Sequence, residues 1–127
     1  MIRSIIIILL FLANISFAHE MTPTYPQLTK SYVDKVLVTK LSIFNSREDV
    51  EYYEIGVFTK DWKQIPFATE YKVLQVKYQE RKNFSIYIRE VDVDKAIYIC
   101  SISKLSKGLE NKTSISSKIC SKIGRRL

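Results

Sequence analysis

Apolar and polar residues alternate along most of residues 32–103, and this pattern predicts short strands rather than helices. In residues 32–45, Leu37, Thr39, Leu41 and Ile43 fall on one side and Val36, Val38, Lys40, Ser42 and Phe44 on the other, the period of two expected of a strand. The polar run Asn45-Ser46-Arg47-Glu48-Asp49 ends it. Residues 50–59 alternate again, with Glu51, Tyr53, Ile55, Val57 and Thr59 opposite Val50, Tyr52, Glu54, Gly56 and Phe58. Lys60-Asp61-Trp62-Lys63 then predicts a charged hairpin tip whose indole is either a lid folded onto the sandwich edge or an exposed contact residue. Pro66, in Ile65-Pro66-Phe67, belongs on an edge strand or a strand start. Residues 71–78 and 83–89 form two further strands around the polar turn at 79–82, with Leu74, Val76, Phe84, Ile86 and Ile88 toward a core and Tyr87 and Arg89 outward. An acidic corner at 90–95 leads into a strand from Ala96 to about Ser103. Beyond it the pattern weakens, and residues 113–119 alternate only faintly through Ile115 and Ile119, as a last strand would. Pro23 and Pro26 make residues 19–31 an extended lead-in with room for a first edge strand.

The start of the chain reads differently. Arg3, an apolar run over residues 5–12 and the closing Ser16-Phe17-Ala18 have the layout of a secretory signal cleaved after Ala18. The apolar run is shorter than the roughly 20 residues that span a bilayer. Residues 1–18 are therefore expected to be a signal peptide, and residues 19–127 an exported single domain of about the size of one β-sandwich. Strand formers dominate it, and Gly and Pro number only three each. In an oxidising compartment two cysteines usually pair, so Cys100 and Cys120 predict a disulfide that contributes about 3 kcal/mol. Two free thiols are the alternative. A metal site would need further ligands beside them.

Charge changes the picture at one end only. Residues 19–103 carry twelve Lys or Arg against twelve Asp or Glu, whereas residues 104–127 carry seven basic residues against Glu110 alone. Within this basic segment, Lys118, Lys122, Arg125 and Arg126 are candidates for contact with an anionic envelope surface, beside the plain reading of a solvated, solubilising face. Nucleic acid fits poorly as a partner, because the chain is read as exported and no aromatics interleave with these charges.

Catalytic chemistry finds few groups. His19 is the only histidine, so no Ser-His-Asp set can form. As the first residue after the expected cleavage, it could chelate copper through its amine and imidazole, although such a site wants a second histidine. The plain reading is a polar terminus. The acidic pairs Glu51 and Glu54, and Asp92 and Asp94, sit beside turns and basic neighbours as surface charges do. Glu48, Asp49 and Glu51 lack the spacing of a calcium loop. Asn111-Lys112-Thr113 is a glycosylation sequon. No cofactor is implied.

Two resemblances add to this reading. Asp94-Lys95-Ala96-Ile97-Tyr98-Ile99-Cys100 resembles the Asp-x-Ala-x-Tyr-x-Cys run of immunoglobulin-type sandwiches, which implies a tyrosine corner built on Asp94, Ala96 and Tyr98, with the Tyr98 hydroxyl bonded to upstream backbone. No second cysteine stands where the inter-sheet partner of that family lies, so the pairing of Cys100 is expected with Cys120. The order of strands and turns from about Lys35 to Ser103 is similar to the N-terminal immunoglobulin-like domain of periplasmic pilus-assembly chaperones. It implies an antiparallel sandwich of about seven strands that binds a protein partner through an exposed edge strand. The expectation is thus an exported, non-enzymatic protein-binding module. The alternative is a structural or surface-adhesion module held by its basic tail.

Overall fold

The computed structural model describes residues 19–104 and 116–124. Its strands are β1 (Glu20–Thr22), β2 (Thr29–Lys30), β3 (Val36–Phe44), β4 (Tyr52–Phe58), β5 (Val73–Gln75), β6 (Arg81–Arg89), β7 (Tyr98–Lys104) and β8 (Lys118–Lys122). They form two antiparallel four-stranded sheets. In the first, β1 and β2 pair with one side of β3 and β6 with the other. In the second the order is β5-β4-β7-β8. The inward faces share one core: Leu37, Leu41, Ile43, Phe84, Ile86 and Ile88 meet Tyr53, Ile55, Val57, Leu74 and Ile99. The chain is an all-β, immunoglobulin-like sandwich, as the alternation predicts.

Several boundaries differ from the sequence expectation. The described strands number eight rather than about seven, because the lead-in supplies both β1 and β2 along β3. The strand expected over 71–78 keeps only three residues in β5, although Leu74 and Val76 are buried as expected. The turn before β6 is tighter than expected. Gln79 takes a left-handed φ of 59°, and the strand starts at Arg81. The acidic corner is a short 3-10 helix over Glu90–Asp92. The last strand begins at Lys118, later than the faint alternation suggested, and its inward positions are Ile119 and the buried Ser121. A serine in place of an aliphatic is what blurred that pattern. The expected leader at 1–18, the sequon at Asn111, and Arg125 and Arg126 lie outside the described residues.

Candidate functional site

β8 is an edge strand of the second sheet with β1 lying alongside it, and the hydrogen bonds around it show how it is used. Ser103 N donates to Ser117 O at 2.9 Å and Ile123 N to Ile97 O at 2.9 Å, so odd-numbered positions bond inward to β7. Even-numbered positions point away: Lys122 N donates to Thr24 O at 3.1 Å and Gly124 N to Pro26 O at 2.8 Å. The N-terminal segment, after leaving the first sheet at Thr22, thus covers the lower half of the β8 edge. The same alternation turns the backbone groups of Lys118 and Cys120 outward, where no described residue pairs with them. An unpaired edge of this kind is a template for an added strand. The other edges are poorer templates. β5 is three residues long, and β6 is bridged at Tyr87 by two hydrogen bonds with Ala68.

Two devices fix β8 in place. Cys100 and Cys120 face each other across β7 and β8 and form the expected disulfide, with their Cα atoms 4.1 Å apart. His19 is the second device. It is 1% exposed, with Nδ1 3.0 Å from Ser117 Oγ and Nε2 2.7 Å from Ser101 Oγ, and its ring lies 4.5 Å from that of Tyr53. Burial pushes its pKa down to about 4, and the positive charge of Arg47 adds to that effect. The copper reading is corrected by this geometry. Both ring nitrogens are already engaged inside the sandwich, not turned toward solvent. The plain-terminus reading is corrected as well, since His19 joins the first strand to the approach of the last.

The outer face of the second sheet carries an aromatic cluster. Trp62 folds back from the hairpin and stacks on Tyr98, with ring centroids 4.5 Å apart and planes 8° apart. The Lys118 ammonium stands 4.4 Å from the Trp62 centroid and 5.0 Å from that of Phe58. The indole is a lid on this face and at the same time 50% exposed. Thr59 Oγ1 accepts from Asp61 N and Lys63 N, and this turn holds Trp62 at a φ of 65°. Gly56 makes room for the cluster, because a Cβ there would meet the Phe58 ring at 2.7 Å.

The tyrosine-corner expectation needs correction here. Tyr98 and Cys100 point to the outer face, while Ile99 and Ser101 occupy the core side of β7. Tyr98 finds a stacking partner rather than upstream backbone, and no hydrogen bond from its hydroxyl occurs among the described residues. Ala96 is buried just before the strand, and Asp94 is exposed at a shallow hollow beside Ile97 and Ile123. The buried tyrosine of this sandwich is Tyr53, on β4. It donates to Asn45 Oδ1 at 2.6 Å, and Asn45 Nδ2 donates in turn to Val50 O and Val76 O at 2.7 and 2.9 Å. Burial raises the Tyr53 pKa to about 12.

The carboxylates singled out in the sequence are mostly occupied. Glu51 accepts from Gln75, Glu54 pairs with Lys104, Asp92 with Arg89, and Asp49 with Arg47. Lys118 and Lys122 are both exposed on the outer face of β8. An open hollow of about 610 Å³ on the first sheet is lined by Lys40, Ser42 and Glu70, among others, but the Glu70 carboxylate already accepts from Ser85 N at 2.9 Å.

No protein-family model matches the chain, and no curated protein matches its sequence. Solved structures do match it. A structure of the Salmonella enterica SafA pilin in complex with the SafB chaperone superposes with a TM-score of 0.62 at 12% identity, covering 87% of this chain and 55% of that one. The E. coli chaperone DraB superposes with a TM-score of 0.58 at 16% identity, covering 84% of this chain and 53% of its own. This chain therefore spans about half the length of the structures it resembles. At these identities the likeness is one of fold: the chain has an immunoglobulin-like fold resembling the N-terminal domains of pilus chaperones.

Proposed function

We propose that this chain is an exported, non-enzymatic protein-binding module that receives a partner strand along the open half of the β8 edge, in the manner of an assembly chaperone. The observation that carries the reading is the outward aim of the Lys118 and Cys120 backbone groups, on a strand stapled by Cys100–Cys120 and held at its approach by His19 and Ser117. A rigid edge favours strand addition, because less order has to be imposed on binding. The non-enzymatic part rests on chemistry. The single histidine is buried with both nitrogens engaged, and the two cysteines are joined. Export rests on the leader-like residues 1–18. The kinship of fold with SafB and DraB agrees with a protein partner.

Lys118→Pro tests the reading. It removes an N–H that points away from β7, so the sandwich is retained while an added strand is blocked. Wild-type protein is expected to retain a partner from its native envelope extract through washing, and the variant to lose it while still melting cooperatively, at a temperature lowered only by loss of the Lys118 contacts with Trp62 and Phe58. Full retention by a folded Lys118→Pro variant would contradict edge docking.

A further inference from the structure

We infer that the strand received by β8 is amphipathic and acidic: apolar where it lies beside Ile119, and carboxylate-bearing where it lies beside Lys118 and, from the position opposite Cys120, diagonally within reach of Lys122. The inference rests on the edge-docking reading and adds the chemistry of the partner. Side chains of β8 alternate, so Ile119 and Ser121 face inward while Lys118, Cys120 and Lys122 face out. Ile119 is half-buried against the core and leaves apolar surface for a neighbour. Ser121 leaves none, being 1% exposed and donating to Pro23 O at 2.9 Å. An inward apolar residue of the partner is therefore accepted beside Ile119 and not beyond it.

The outer side is set by charge. Lys118 and Lys122 are exposed, and neither has a carboxylate partner among the described residues. The nearest acid in the same cross-strand row, Glu54, is taken by Lys104. The rings of Phe58 and Trp62 hold the Lys118 ammonium in place without neutralising it. A strand added at about 4.8 Å spacing puts its outward side chains within reach of these two cations. Opposite charges in such cross-strand positions stabilise and like charges destabilise. A basic strand is thereby rejected and an acidic one favoured. The partner strand is also short. Thr24 O and Pro26 O already occupy the edge at Lys122 and Gly124, so it continues the line of that segment past Cys120 and Lys118.

The test uses the full oxidised chain, isotope-labelled for NMR, and three synthetic eight-residue peptides. Each alternates Val with a second residue, which is Glu, Ser or Lys. The Glu peptide is expected to shift the Lys118 and Cys120 amides and to bind about tenfold more tightly than the Ser peptide, the combined effect of two cross-strand charge pairs. In the double variant Lys118→Glu, Lys122→Glu, the preference is expected to pass to the Lys peptide. Equal binding of all three peptides at those amides would overturn the acidic partner and leave edge docking standing. No shift at those amides with any peptide would overturn both. Binding to phosphatidylglycerol vesicles that depends on Lys118 and Lys122, without a preference for the Glu peptide, would reassign the two lysines to a lipid surface and overturn the inference.

Discussion

His19 and Ser117 stand ninety-eight residues apart in sequence and 3.0 Å apart in the fold, with Nδ1 of the imidazole against Oγ of the serine. Through this contact the first described residue reaches the approach to the last strand. Nε2 makes a second contact, at 2.7 Å, with Ser101 on the neighbouring β7. A neutral imidazole suits this place, because it can donate from one nitrogen and accept at the other.

That neutrality makes the fold acid-sensitive. His19 has a folded pKa of about 4 against 6.5 for the free side chain, so the unfolded chain takes up its proton first as pH falls. Its contribution is fully present above about pH 6.5, declines below it and is gone below about pH 4. The loss is about 3 kcal/mol. Urea melts at pH 7 and pH 4.5 measure it. His19→Gln is expected to be less stable at pH 7 and to show a smaller decline between the two pH values. Glu70, whose hydrogen bonds with Ser85 and Thr69 outweigh the effect of burial and lower its pKa, gives a decline below pH 4.5 that both proteins share.

Asn45 is the hub of the polar network at that end of the sandwich, and is fully buried. It accepts from Tyr53 Oη and Arg47 N and donates to Val50 O and Val76 O. Tyr53→Phe removes one of these bonds and is expected to cost about 1–2 kcal/mol. Asn45→Ala strands several buried groups at once and is expected to cost more, about 3 kcal/mol or above. Chemical denaturation of the two variants gives the ranking. Equal costs would contradict the hub role.

Replacing both Cys100 and Cys120 by Ala is expected to cost about 3 kcal/mol. The loss should be local at first. Amide protection at Ile119 and Ser121 should fall while that of the β3 and β6 amides holds, because the β3–β6 ladder does not involve the staple. Hydrogen exchange of the oxidised protein and the double variant makes the comparison.

Trp62 sits in the left-handed region at a φ of 65°, which costs a residue with a Cβ about 1–2 kcal/mol. Stacking on Tyr98 and contact with the Lys118 cation offset that cost. Trp62→Ala keeps the strained backbone and loses the contacts. Trp62→Gly loses the same contacts and relaxes the backbone. Thermal melts are expected to rank wild type above Trp62→Gly and Trp62→Gly above Trp62→Ala. The reverse order of the two variants would contradict the account of the turn.

The strands with apolar residues at every second position were legible because burial enforces that period. Leu37, Leu41 and Ile43 in β3, and Phe84, Ile86 and Ile88 in β6, face the core as the alternation predicts. The pairing of Cys100 with Cys120 was legible from their number and from the expectation that the chain is exported. The candidate site was much less so. Ser101, Ser121 and His19 are core residues, and their polarity hid the inward faces of β7 and β8 from any hydrophobic pattern. The motif around Tyr98 points to a buried tyrosine whose hydroxyl bonds upstream backbone, whereas the buried tyrosine is Tyr53 and its hydroxyl bonds the Asn45 side chain, because a short local motif carries no information about which face the opposite sheet covers. One signal for Tyr53 did exist. It is flanked in phase by Ile55 and Val57 and lies eight residues after Asn45, a polar residue at the end of a buried strand.

The most direct test of edge docking is residue-resolved amide exchange along β8, in the free protein and with the Glu-bearing peptide bound. In the free protein the Lys118 and Cys120 amides should exchange quickly while Ile119 and Ser121 are protected, and binding should protect Lys118 and Cys120. Fast exchange at Lys118 and Cys120 that persists in the bound state would contradict a partner strand on this edge.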